Sequence, residues 1–109
     1  MIFVNYLQYG ERERILELRP AHQKYLFGLL EQGKLVAAGS FPGDVGGLYL
    51  YATDSQEAAE LLMADDPYVQ GNAIASFRIT AWEVHGVNPD LLRVSKKISG
   101  RPSRFNRPA

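Results

Sequence analysis

KLVAAGSFPGDVGGLYLYAT, residues 34–53, decides the fold. Two apolar, strand-like runs, KLVAAGSF and GLYLYAT, flank PGDVGG, whose proline and glycines suit a turn and oppose regular structure. The runs are expected to pair as an antiparallel hairpin. A lone hairpin is marginal in water, so its flanks determine the architecture.

Immediately before it, RPAHQKYLFGLLEQG (residues 19–33) places Pro20 where a first helical turn tolerates it and Gly33 where a helix ends. His22, Leu26, Leu29 and Leu30 then share one stripe. Immediately after it, Thr53 or Asp54 is expected to cap a second helix, because T-x-x-Q and D-x-x-E both occur there. Ala58, Leu61 and Leu62 supply its apolar stripe, and Pro67 stops it, since Asp66 before a proline is pushed out of helical geometry.

One step further out lie IFVNYLQY (residues 2–9) and AIASFRITAWEV (residues 73–84). In the first, Ile2, Val4 and Tyr6 fall on one face and Phe3, Leu7 and Tyr9 on the other, the pattern of a strand buried on both faces. In the second, Phe77, Ile79 and Ala81 share one face, and Ile74, Thr80, Trp82 and Val84 share the other. The order is therefore β-α-β-β-α-β. Two right-handed crossovers in that order give an α+β, ferredoxin-like fold: one four-stranded antiparallel sheet with both helices on one face. The uncovered face carries too much apolar surface for a monomer, so a second copy, a homodimer, is expected to cover it.

The 109 residues fit one domain that buries about two-thirds of the surface its unfolded chain exposes. The chain contains no cysteine, which excludes thiolate nucleophiles and thiolate metal sites and makes a reducing cytoplasm the default. MIFVNYLQYG lacks the features of a secretory signal, and no run approaches the roughly 18 apolar residues of a membrane span. A net charge of zero hides an asymmetry: residues 86–109 hold six of the twelve Lys and Arg but only one acid, Asp90. We therefore read residues 1–85 as the folded unit and 86–109 as a basic C-terminal extension. RVSKKISGRPSRFNRPA lacks a base-stacking aromatic array, so its charge describes a solvated extension better than a nucleic-acid arm.

Of the two histidines, His85 sits beside Gly86 at the end of the last strand, where solvent exposure is expected. His22 lies on the stripe with Leu26 and Leu29 and faces the core or a cavity, where its basicity can be tuned. The same pattern also fits a core histidine whose nitrogens are satisfied by a backbone carbonyl and a side chain. Asp65 and Asp66, in MADDPYVQG, on their own read as an acid opening a turn.

Taken together, RPAHQKYL after the first strand and ADDPYVQG after the second helix resemble the two signature segments of the YciI-like (YCII-related) family, in spacing and in element order. The resemblance spans about residues 1–85. It implies a dimeric α/β-barrel fold like that of muconolactone isomerase, with His22 and Asp66 as the active-site pair and Arg19 in the R-P-x-H position. Ser40 departs from the proline of many relatives, and the basic tail runs beyond the usual family end.

A carboxylate bonded to one imidazole nitrogen fixes the tautomer and raises the basicity of the other, which makes His22 the expected proton carrier and Asp66 its orienter. Arg19 suits a substrate carboxylate or phenolate, with Ser40 or Tyr68 as a neutral donor. GDVGG lacks the Walker lysine and the Rossmann fingerprint, and no metal cluster is visible, so neither cofactor nor metal is expected. The resemblance to lactone isomerases and a dehydrochlorinase suggests proton transfer or elimination on a small ring substrate, a lyase or isomerase type of reaction. The alternative is a non-catalytic module that binds a small ligand or a protein in the same cavity. A third possibility is an accessory protein whose tail contacts nucleic acid or a larger enzyme.

Overall fold

The computed structural model describes residues 1–92; most of the basic extension, residues 93–109, lies outside the described residues. Strand β1 (Ile2–Tyr9) is followed by helix α1 (Arg12–Glu31), strands β2 (Leu35–Ser40) and β3 (Gly46–Ala52), helix α2 (Gln56–Ala64), the single turn α3 (Pro67–Gln70) and strand β4 (Ile74–Trp82). The four strands form one sheet in the order β2-β3-β1-β4, and every neighbouring pair is antiparallel. This is the expected ferredoxin-like α+β arrangement, with the predicted hairpin as β2 and β3. Gly46 is required where β3 meets β1, because a Cβ there would overlap the Leu7 carbonyl oxygen.

Both long helices pack on the same sheet face. Leu26 and Leu29 of α1 and Ala59 and Met63 of α2 join Phe3, Leu7, Tyr49, Tyr51 and Ile79 in one core. The register puts Ile2, Val4 and Tyr6 with Leu48, Leu50, Thr80 and Trp82 on the opposite face. There burial is incomplete: Tyr6 is 48% exposed and Trp82 46%. Within one chain, β1 is therefore buried on one face only, which corrects the expectation for both.

Four further expectations are corrected in detail. Helix α1 begins at Arg12, not near Pro20, which stands inside it. The apolar stripe continues backwards through Leu18 to Ile15, which is buried against Tyr68 and Ala73, and that packing drives the charged ERER segment into the helix. Pro20 deprives the Leu16 carbonyl of its usual partner, but both residues lie on the exposed side of α1, where water can serve that carbonyl.

Ser55, not Thr53 or Asp54, caps α2, its hydroxyl accepting from the Ala58 N–H at 3.1 Å. Docking then turns Ala59 and Met63 to the sheet, with Leu62 partly buried, and leaves Leu61 67% exposed.

Asp65 ends α2, so Pro67 does not stop it; it opens α3 as the first helical residue. Asp66 is extended between the two helices, with φ −66° and ψ 130°, as a residue before proline should be.

Lastly, Gln8 pairs with Ser76 but Tyr9 with Ile74, so Ala75 is an extra residue on β4. A bulge reverses the side-chain alternation, and Ile74 turns to the helix side, where it packs against the core.

Candidate active site

The site grows from three elements. The length of α1 carries Arg19 and His22 over the sheet, the extended joint before α3 carries Asp66 and then Tyr68, and β3 sends Tyr49 up from below. His22 Nδ1 lies 2.8 Å from Asp66 Oδ1, with the His22 side chain 7% and the Asp66 side chain 0% exposed. The same Oδ1 accepts from the Tyr68 backbone N–H at 2.9 Å. Asp66 thus caps α3 and holds the histidine with one oxygen, while its Oδ2 and the buried Asn5 Oδ1 have no hydrogen-bond partner among the described residues.

The bond to a carboxylate puts the proton of neutral His22 on Nδ1, leaving Nε2 as an acceptor. Tyr49 is the donor that reaches it, its hydroxyl 2.9 Å from Nε2. The result is a continuous line, Asp66 to His22 to Tyr49. The Tyr68 ring lies against the imidazole with centroids 3.7 Å apart and planes 9° from parallel. Tyr9 meets Tyr68 edge-on at 5.6 Å. Burial, followed by the Asp66 carboxylate, drives the Tyr49 phenol far up, so it remains a donor. Tyr9 is pushed up to about 12, mainly by burial and then by Tyr68.

Arg19 stands at the outer side of this line. Its Nε donates to the Tyr68 hydroxyl at 3.3 Å, and its Nη2 donates to Asp44 Oδ1 at 3.0 Å. The bond to Tyr68, opposed by burial and aided by Asp44, raises the Arg19 pKa. Burial raises Tyr68 too, with the Arg19 hydrogen bond opposing it.

The sequence-predicted residues thus divide. Arg19, His22, Asp66 and Tyr68 meet in one cluster. Ser40 sits opposite Gly47 at the end of β2, on the same sheet face as Tyr49 but exposed; no hydrogen bond joins it to the other four. His85, with its side chain 83% exposed, lies 3.9 Å from Glu83 and apart from the site.

Sequence reasoning missed Tyr49, Tyr9, Asp44 and the buried Asn5. The available signal was period two: Asn5 shares a face with Phe3 and Leu7, and Tyr49 with Tyr51, so hydroxyl and amide groups point under the helices. Asp44 gave no such signal, because its partner Arg19 is remote in sequence. Among the described residues, no group of three His, Asp or Glu side chains is arranged to hold a metal ion, and no helix is long and apolar enough to cross a membrane.

The structure is thus a ferredoxin-like α+β fold with a buried His–Asp pair between its first helix and the joint after its second. The chain belongs to the YCII-related domain family, whose model matches residues 1–83. Among solved structures it is similar to the 5-chloro-2-hydroxyhydroquinone dehydrochlorinase TftG from Burkholderia phenoliruptrix, in complex with 2,5-dihydroxybenzoquinone. The TM-score is 0.69 at 20% identity, and the match covers 79% of this chain and 96% of that one. A likeness at that identity speaks to the fold alone. No curated protein sequence matches.

Proposed function

We propose that this protein is a cofactor-free acid–base enzyme that moves a proton, or eliminates a small leaving group, on a small anionic ring substrate. The observation that carries the reading is the 2.8 Å contact between His22 Nδ1 and Asp66 Oδ1 in a nearly closed site. A proton carrier needs a fixed tautomer and a partner for the charge it acquires, and Asp66 supplies both. Tyr49 would hand its proton to Nε2 only as its oxygen takes one from the substrate, so that no buried tyrosinate forms; Arg19 with Tyr68 would hold an anionic oxygen of the substrate, and Ser40 would act as an additional donor at the rim. TftG, a dehydrochlorinase of the same fold crystallised with a dihydroxyquinone, supports the choice of substrate class.

Three further points belong to the same reading. A second copy of the chain covers the outer sheet face, supported by the half-exposed Tyr6 and Trp82. Residues 1–85 form the functional unit and 86–109 a basic extension. The absence of cysteine supports a place in the reducing cytoplasm.

The test is turnover of 5-chloro-2-hydroxyhydroquinone, followed by chloride release, and of a panel of ring lactones, by wild type and His22→Asn. The reading expects turnover that falls about 10²- to 10⁴-fold in the variant, with the circular dichroism spectrum unchanged. Turnover that survives the substitution contradicts it.

A second reading has one observation behind it. Both ring nitrogens of His22 are satisfied within the chain, by Asp66 and Tyr49, as they would be in a histidine that only holds the fold around a binding site. Ring compounds that bind but are never turned over would favour it.

A further inference from the structure

Arg19 is not free to receive an anion in this structure. Its two terminal nitrogens face the two oxygens of Asp44, Nη2 to Oδ1 at 3.0 Å and Nη1 to Oδ2 at 3.5 Å. This is the two-pronged geometry by which a guanidinium grips a carboxylate. Arg12 approaches the same carboxylate, its Nη2 3.8 Å from Oδ2. Two guanidiniums therefore converge on one acid, and one of them, Arg19, also bonds the Tyr68 hydroxyl.

Asp44 comes from the β2–β3 loop, and its backbone is unusual. It has φ 56°, next to Gly43 at φ 87°, in the left-handed region that non-glycine residues adopt only at some cost. Two backbone bonds close the loop, Asp44 N–H to the Phe41 carbonyl at 3.2 Å and Phe41 N–H to the Gly46 carbonyl at 2.8 Å. Its base is tied to β1 by the Tyr9 N–H on the Val45 carbonyl at 3.0 Å and by the Phe41 ring against Tyr6, while the Val45 side is 62% exposed. The ion pair is also partly solvated, with the Arg19 side chain 30% and the Asp44 side chain 24% exposed. Pairs of this kind are weakly held and open to exchange with a competing anion.

From this arrangement we infer that Asp44 is a specificity-determining residue of the site: its carboxylate occupies, in the free protein, the position that the carboxylate or phenolate of a ring substrate takes on Arg19. The inference rests on the role of Arg19 in the proposed function and adds what that role leaves open, namely what the substrate must displace. Arg19 Nε is bonded to the Tyr68 hydroxyl, and the Tyr68 ring is stacked on His22, so an anion held at the Arg19 fork is linked to the imidazole through the Tyr68 side chain. Only ligands whose anion outcompetes Asp44 are admitted, and neutral rings gain nothing from its release.

The experiment is calorimetric titration of the full-length protein with benzoate at low ionic strength, using wild type, Asp44→Asn, Arg19→Met and the double variant. Asparagine is chosen because it tolerates a left-handed backbone. Asp44→Gly, equally compatible with that φ, repeats the measurement if the first variant does not fold. Removing the internal carboxylate is expected to tighten benzoate about two- to fivefold, the size of effect a partly exposed competing ion pair can exert, and adding Arg19→Met is expected to abolish the gain. Unchanged or weaker binding in both Asp44 variants overturns the inference, as does a gain that persists without Arg19. Its failure is distinct from that of the enzyme reading. Tighter benzoate with no ring compound turned over leaves Asp44 in this role and removes the catalysis, whereas His22-dependent turnover with indifferent Asp44 variants does the reverse.

Discussion

The two faces of the one sheet are built on opposite terms. On the helix side, polar groups are buried and mostly matched. Asn5 donates to the Tyr51 hydroxyl at 3.3 Å and to Met63 Sδ at 3.1 Å, and Tyr49 bonds His22. On the outer side, apolar groups are left half in water, Tyr6 and Trp82 foremost. A face meant only for stability would bury hydrocarbon and shed polar groups. Here the inner face spends part of its burial on hydroxyls, an amide and a carboxylate, which suggests a site, and the outer face retains apolar area, which suggests a partner.

That contrast can be broken first where the expected effect is all-or-none. Trp82→Glu combined with Tyr6→Glu places two charges on the outer face. If a second copy covers it, light scattering on size-exclusion peaks should move from dimer to monomer, while the His22 site keeps its spectrum. A wild type that is already monomeric removes the interpretation of that face.

Next in size is the inner face. Asp66→Ala removes the acceptor of two buried donors, His22 Nδ1–H and the Tyr68 N–H. It should lower the urea unfolding free energy by about 3 kcal/mol. A loss under about 1 kcal/mol would mean that the buried polar line contributes little to holding the fold together.

The smallest effect concerns pH. Tyr9 and Tyr25 are each pushed up to about 12, in both cases mainly by burial, whereas in the unfolded chain they titrate near 10. Above pH 10 the unfolded state loses these protons before the folded state does. The stability contribution is therefore complete below pH 10 and is lost as pH rises toward 12. Both side chains are partly solvated, so the fall should amount to about 1 kcal/mol each, followed by unfolding at fixed urea and by tyrosinate absorbance. Unchanged stability between pH 10 and 12 would contradict the burial of those phenols.

How much of this was legible depends on the range of the interaction. The hairpin was legible because PGDVGG is a local turn signal between apolar runs, and the element order with the one-face packing of the helices followed from it. The pairing of His22 with Asp66 was legible through the two family segments, and the extended Asp66 through Pro67 alone. The start of α1 was not, because Pro20 reads locally as a first turn, and only the packing of Ile15 against Tyr68 and Ala73 extends the helix past it. Tyr49 was hidden inside an apolar run because tyrosine counts as apolar until its hydroxyl finds a buried partner. Ile74 followed the strand alternation on paper and left it at a bulge no local signal marks. Asp44 depends on a contact with a remote helix, which local patterns do not encode.

The most direct test of the acid–base line is the tautomer of His22 in the wild-type protein near neutral pH, read from long-range proton–nitrogen correlation spectra of the imidazole. The neutral form of His22 is expected to carry its proton on Nδ1, held by Asp66, with Nε2 unprotonated and accepting from Tyr49. A proton on Nε2 would mean that Asp66 does not orient the ring, and the proposed proton path would be wrong.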